Sequence, residues 1–267
     1  MSHVERLAIV VSLLLLDFMV LILVPLPSQE LAFTVLGSEL GLRITGAARV
    51  ALLVAATICV GSGELWRMGE VASRPPWAYR ATLWPLPALS GVLGVLLVER
   101  LASQGQQIVL ASLTIIGVAV VMALQVRQMA AADGRGRALL HIAAYAVALA
   151  YYELLFEARL RSILSATGVL LVSAALSLEL LRHPQKVWRT WLYAGILGLL
   201  MGELTWALNY TSVSAQVGAG LLLLVYYAFS GLVQQHLWGH LSRRVVVEFA
   251  VVFAAWLALL LFLAVRL

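Results

Sequence analysis

The chain has 267 residues, 63% hydrophobic and 12% charged, with a formal net charge of +5 and a mean hydropathy of +0.98. Soluble domains run about 45–50% apolar and about 25% charged, so an ordinary soluble domain and a disordered chain are excluded. A nucleic-acid-binding module is excluded too, because the basic residues are scattered over short loops and not gathered on one face.

A helix needs roughly 20 apolar residues to cross the hydrocarbon core. Such stretches fall at about 7–26, 46–65, 82–99, 107–126, 138–157, 162–181, 190–210, 214–235 and 245–265. The fold class is therefore an all-α polytopic membrane protein, a bundle of about nine transmembrane helices. Eight is the alternative, because the second stretch opens weakly with Thr45-Gly46-Ala47-Ala48-Arg49. The remainder is termini and short connections, so 1–267 reads as a single transmembrane domain.

In chain order, Arg6 followed by Leu7–Val24 resembles a signal peptide, but the apolar run is long. Pro25-Leu26-Pro27 also lacks the small-x-small cleavage pattern, so a retained first span is expected. Asp17 lies in the middle of it. A charge at the bilayer centre costs about 2.5–3.5 kcal/mol on the lenient insertion scale. Asp17 is thus the most expensive residue in the chain. A neutral acid can donate a hydrogen bond to a neighbouring helix, and that role is favoured over proton or cation transfer. The span offers no other polar group on that face. In the longest connection, 27–45, the stretch Leu31–Leu40 is apolar but too short to span, and an interfacial helix is expected there. The single cysteine, Cys59, excludes an intramolecular disulfide. The single lysine, Lys186, lies in a loop, which excludes an intramembrane Schiff base.

Most acids have a basic partner at helical spacing: Glu64 with Arg67, Glu70 with Arg74, Glu157 with Arg161, Glu179 with Arg182 and His183, and Glu248 with Arg244. Asp17, Glu153 and Glu203 have none within a turn. Glu153 and Glu203 also superpose under an offset of 50 residues, together with Phe156 on Trp206, Ser162 on Ser212 and Gly168 on Gly218. This outlines two αα-hairpin repeat units, 138–183 and 188–233, related as a parallel repeat. Leucine-rich spans also resemble one another without duplication. Gly195, Gly198 and Gly202 let a neighbouring helix approach the seventh span closely, the last two in G-x-x-x-G spacing. Tyr152 and Gln216 add polar groups to the two hairpins. Asp17, Tyr152, Glu153, Glu203 and Gln216 form the candidate transport or binding set.

Twelve lysines and arginines fall on one side of the nine-span topology and six on the other. The positive-inside rule then places the N-terminus in the cytoplasm and the C-terminus outside. Seventeen arginines against one lysine point to a high-GC bacterial genome, and a bacterial inner membrane is expected. All five histidines fall at the cytoplasmic boundary. His236 and His240, four apart on one helix face, can offer two imidazoles to one metal, although interfacial histidines are the commoner case. No nucleophile elbow surrounds Gly61-Ser62-Gly63, and no Gly-rich phosphate loop precedes a lysine. No cofactor is implied.

The favoured reading is a small transporter or permease, with Glu153 and Glu203 coupling protons or cations. The alternatives are a non-catalytic subunit or scaffold of a membrane complex, and a lipid-modifying membrane enzyme using His236 and His240. The expected partners are the lipid bilayer and either a membrane protein or a second copy of the chain, with no nucleic acid.

Overall fold

The computed structural model describes residues 3–35, 38–66, 77–130, 134–158, 162–211 and 213–266. The fold is helical, as the apolar stretches predict. The helices are α1 (His3–Leu23), α2 (Gly46–Trp66), the short α3 (Trp77–Arg80), α4 (Pro85–Glu99), α5 (Gln104–Ala130), α6 (Gly134–Glu157), α7 (Ser162–Leu180), α8 (Val187–Leu208), α9 (Ala215–Trp238) and α10 (Arg243–Arg266). A single 3-10 turn, Ala81–Leu83, joins α3 to α4. Among the described residues, eight helical segments are long and apolar enough to cross a membrane, with Trp77–Glu99 counted as one. The tenth helix, α10, coincides with the ninth predicted stretch. It opens with Arg243 and Arg244, and Glu248 follows in its second turn.

The connection after α1 departs from expectation. Instead of an interfacial helix at Leu31–Leu40, two strands, β1 (Gln29–Val35) and β2 (Ser38–Ile44), pair antiparallel from Gln29 opposite Ile44 to Val35 opposite Ser38. Leu31-Ala-Phe-Thr-Val35 alternates large and small side chains and is rich in β-branched and aromatic residues. That pattern suits a strand better than a helix. The base of the hairpin is closed by Arg49, which donates to the Pro27 carbonyl at 2.6 Å.

The chain forms two compact units. The first comprises 1–72 and 87–133, the second 73–86 and 134–267. The core of the first is set by helical spacing. Val10, Leu14 and Phe18 of α1 meet Ala47, Val50, Val54 and Ile58 of α2, with Val95 and Val98 of α4 and Ala111, Ile115, Val118 and Met122 of α5. Asp17 lies half-buried beside this core, and its carboxylate accepts a hydrogen bond from the Thr57 hydroxyl of α2 at 2.9 Å. The costly acid of the first span therefore has an interhelical polar partner.

In the second unit, α7 is the most enclosed span. Helix α8 packs closely on it. A Cβ built at Gly198 would lie 2.7 Å from both the Ala174 Cβ and the Leu170 carbonyl oxygen. At Gly202 it would lie 3.1 Å from the Leu170 Cβ, whereas at Gly195 it would meet nothing within 4 Å. Helices α6 and α9 run antiparallel, with Tyr145 beside Ser230 and Phe156 against Gly218. Helix α10 returns along α9, with Phe249 against Gly231 and Leu260 against Gly220. The outward faces are apolar: Ile142 is 65%, Ile163 70% and Leu171 61% exposed. In water such faces would be costly, but a lipid environment accepts them.

Candidate functional site

The structure separates the polar residues of the second unit into three groups. The first is a buried seam between α6, α7 and α9. Tyr152 and Ser173 share a hydrogen bond of 2.7 Å, Ser177 and Tyr226 one of 3.0 Å, and Tyr145 and Ser230 one of 2.9 Å. The rings of Tyr145 and Tyr152 each meet the Tyr226 ring edge-on, at 6.0 and 6.2 Å. Tyr152, one of the sequence candidates, is fully buried here. These hydroxyls satisfy one another, which fits a structural role in a low-dielectric interior.

The second group holds the candidate carboxylates. Glu153 is half-buried on α6, and Glu203 is exposed on α8. Neither makes a hydrogen bond or ion pair among the described residues. None of the cavities described below is lined by either. Gln216 is exposed in the first turn of α9, close to Ser214, whose hydroxyl accepts from the Val217 N–H at 3.5 Å. The residues matched by the 50-residue offset are not equivalently packed. Gly168 lies against Leu155 of its own hairpin, whereas Gly218 lies against Phe156 of the other. Ser212 lies outside the described residues, as do Arg67, Glu70, Arg74 and Arg161 of the predicted ion pairs and the side chain of Glu64.

The third group was not foreseen as a site. At the end where α6 begins and α9 stops, a cavity of about 360 Å³ is lined by Gly134, Arg137, Ala138 and His141 of α6, by Gln234, Gln235 and Trp238 of α9, and by His240. The Arg137 guanidinium lies over the Trp238 ring, 4.4 Å from its centroid, in cation–π range. The His183 ring meets the same indole at 4.9 Å. Arg182 and Glu179 form an ion pair at 3.1 Å, with side chains 12% and 2% exposed. Both lie in the electrostatic field of Arg137, together with Tyr79. His141 in turn feels the charges of Arg137 and Arg182.

The charge balance follows from these contacts. Glu179 is the acid of the neighbourhood, and Arg182 neutralises it. Arg137 makes no hydrogen bond or ion pair among the described residues. Among the described residues, the cavity lining contains no carboxylate. The Lys186 ammonium is held by the Leu237 carbonyl, which places another cation at the C-terminal end of α9, where the helix dipole favours it. Outside the spans, burial holds the His183 imidazole below its usual range, and the Lys186 and Arg137 charges act in the same sense. His183 is therefore neutral at neutral pH. Its Nδ1 accepts from the Gln185 N–H at 3.2 Å.

The histidine pair is corrected. Helix α9 ends at Trp238, and Gly239 adopts the left-handed conformation at φ 75°. The His240 N–H closes on the Gln235 carbonyl at 3.0 Å, and the Gly239 N–H closes on the His236 carbonyl at 3.1 Å. These are the two bonds of a Schellman cap. His240 thus lies beyond the helix and does not continue the face of His236. His240 lines the cavity, while His236 packs edge-on against Tyr193 at 5.9 Å. Among the described residues, no group of three or more His, Cys, Asp or Glu converges to hold a metal ion.

In the sequence, Arg137 is one of the twelve basic residues on the more positive side of the nine-span topology. The signal available was the spacing Arg137, His141, Tyr145, Leu149, which sets four side chains along one face of α6. It gains meaning only once α9 supplies the facing Trp238 and Gln234. Comparison with known proteins adds a family but no activity. No curated protein and no solved structure matches the chain. A family model, described as "Protein of unknown function (DUF5656)", matches residues 26–263, nearly the whole length, and the chain belongs to that family.

Proposed function

We propose that this protein is a membrane-embedded binding protein for a phosphate-bearing anionic group. One observation carries the reading. Among the described residues, a cavity at the end of the bundle is lined by Arg137, His141 and His240 and by no acid, and the Arg137 guanidinium lies over Trp238 without a hydrogen bond or ion pair. A guanidinium is a planar fork of donors matched to phosphate oxygens. Gln234 and Gln235 add neutral amide donors to the same lining. The volume falls within the range of small-ligand sites. The surrounding end of the bundle carries Arg135, Arg182, Lys186, Arg189, Arg243 and Arg244. The positive-inside rule would turn that end to the cytoplasm of a bacterial inner membrane. That leaflet's anionic lipids gather at basic pockets between transmembrane helices.

The test is native mass spectrometry of the detergent-solubilised protein with equal amounts of phosphatidylglycerol and phosphatidylcholine of identical chains. Wild-type protein is expected to retain the anionic lipid several-fold over the zwitterionic one. A hydrogen-bonded charge contributes about 1.5–3 kcal/mol, so Arg137→Gln should cut phosphatidylglycerol retention about tenfold or more. Retention of phosphatidylcholine should not change. Equal retention of the two lipids by the wild type, or no loss in a folded Arg137→Gln variant, would sink the reading.

A second reading, proton or cation coupling through Glu153 and Glu203, is favoured by their lack of any hydrogen bond or ion pair among the described residues. It predicts that carbodiimide labels both residues in a pH-dependent manner between pH 5 and 9 and that a transported cation blocks the labelling. Carboxylates that stay inert across that range would rule it out.

A further inference from the structure

A second cavity, also of about 360 Å³, is lined by Tyr145 and Leu149 of α6, by Gly220, Leu223, Leu224 and Tyr227 of α9, and by Val252, Trp256 and Leu260 of α10. Among the described residues, its only polar side-chain groups are the hydroxyls of Tyr145 and Tyr227 and the indole N–H of Trp256, and none of them is charged. The Tyr145 hydroxyl is already bonded to Ser230. The cavity therefore asks for an apolar occupant.

Its position relative to the basic pocket is what carries the inference. On α6 the basic pocket ends at His141, and the apolar slot begins at Tyr145, one helical turn further on. On α9 the basic pocket uses Gln234, Gln235 and Trp238, and the slot resumes at Tyr227. Residues spaced by three and four share one helix face. The face Ala138, His141, Tyr145, Leu149 of α6 is thus continuous, and on α9 Trp238, Gln234, Tyr227, Leu223 and Gly220 lie along one face, with Ser230, bonded to Tyr145, between the two linings. The two cavities follow each other along a single α6–α9 seam. From Arg137 to Leu149 is about 18 Å at 1.5 Å per residue. This is the reach of a lipid from its phosphate to well along its chain. Helix α10 walls the slot through Val252, Trp256 and Leu260.

We infer that the seam binds one amphiphile, an anionic phospholipid whose phosphate sits in the Arg137 pocket and whose acyl chain lies in the slot between α6, α9 and α10. The inference rests on the anion-binding reading above and adds the chain and its path. Anionic charge meets the basic end, and apolar surface meets the apolar end, in the order a single lipid molecule requires. A water-soluble phosphate would use only the first cavity.

The experiment places the protein in phosphatidylcholine nanodiscs with a small fraction of a photoactivatable lipid bearing a diazirine at the chain terminus. The probe is made once as phosphatidylglycerol and once as phosphatidylcholine. The phosphatidylglycerol probe is expected to crosslink to α9 and α10 around Leu223, Val252, Trp256 and Leu260, several-fold more than the phosphatidylcholine probe. Arg137→Gln should erase that preference. Leu149→Trp, which fills the slot from α6 and leaves the basic pocket intact, should displace the crosslinks while native mass spectrometry still shows phosphatidylglycerol retained over phosphatidylcholine. Crosslinks spread evenly over all outward faces, with headgroup preference kept, would overturn the slot and leave the anion site standing. Loss of headgroup preference in the wild type would instead overturn the anion site itself. Retention by a soluble competitor, glycerol phosphate, at the same affinity as the lipid would also overturn the slot.

Discussion

Replacing Arg182 with methionine should destabilise the protein by about 3–5 kcal/mol, the range for breaking a buried ion pair from one side. The reason is the location of its partner. Glu179 is 4% exposed in the last turns of α7, the most enclosed helix, and Arg182 meets it at 3.1 Å. Removing the guanidinium takes from a buried carboxylate the cation that meets it at 3.1 Å. The geometry also predicts what repairs the damage. In Glu179→Leu/Arg182→Met both charges are gone, and most of the loss should be recovered, because well-packed apolar replacements of buried pairs are often neutral. The check is helix content by circular dichroism in micelles titrated with sodium dodecyl sulfate, comparing the two single variants with the double. If the double variant is as unstable as Arg182→Met, the pair is not the cause.

The same pair controls the sign of the basic pocket. With Arg182 present, Glu179 is paired at 3.1 Å, and His141 faces the charges of Arg137 and Arg182. With Arg182→Met, the Glu179 charge loses that counterion, acts more strongly on Arg137 and competes with any bound anion. The single variant should therefore also lose preference for phosphatidylglycerol, and Glu179→Leu should keep it. A readout of lipid retention separates this electrostatic effect from simple unfolding.

How much of this was legible beforehand depends on whether the signal is local. The helices were legible, because an apolar stretch of about 20 residues in a chain of this composition has few alternatives. Their predicted limits, such as 162–181 for α7, fall close to the observed Ser162–Leu180. The hairpin at Gln29–Ile44 was missed because apolar content was weighed there without its period. Leu31, Phe33 and Val35 alternate, and alternation is the strand signal. The pair His236 and His240 was misread because Gly239 was not taken as a helix end, although glycine just past the last periodic residue is a stop signal. The binding pocket was invisible for a different reason. Its lining comes from α6, from α9 and from the residue after the cap. No single stretch of sequence contains it. Arg137 reads as one more loop charge until Trp238, a hundred residues away, is placed beneath it.

The glycines of α8 give the second large effect, and they do so with opposite signs within one helix. Gly198→Leu should destabilise the second unit by about 3 kcal/mol, the upper part of the range for overpacking. Part of what a Cβ at 198 would meet is the Leu170 carbonyl oxygen, at 2.7 Å. That atom is backbone of the helix opposite, so it cannot rotate away as a side-chain terminus would, and α7 and α8 must move apart. Gly198→Ala already introduces the offending atom and should also destabilise. Gly195, one turn earlier, meets nothing within 4 Å. There the only change is in backbone freedom, and Gly195→Ala should stabilise by about 0.5–1 kcal/mol, the helix-propensity difference between the two residues. Gly202→Ala falls between, because its nearest neighbours, the Leu170 Cβ at 3.1 Å and the Ala166 carbonyl oxygen at 3.2 Å, need move by only a few tenths of an ångström. The order of midpoints in a dodecyl sulfate titration should therefore be Gly195→Ala, wild type, Gly202→Ala, Gly198→Ala, Gly198→Leu. If Gly198→Ala were as stable as Gly195→Ala, the close approach of α7 and α8 would be wrong. The register that holds Glu179 and Arg182 beneath the basic pocket would then have to be redrawn as well.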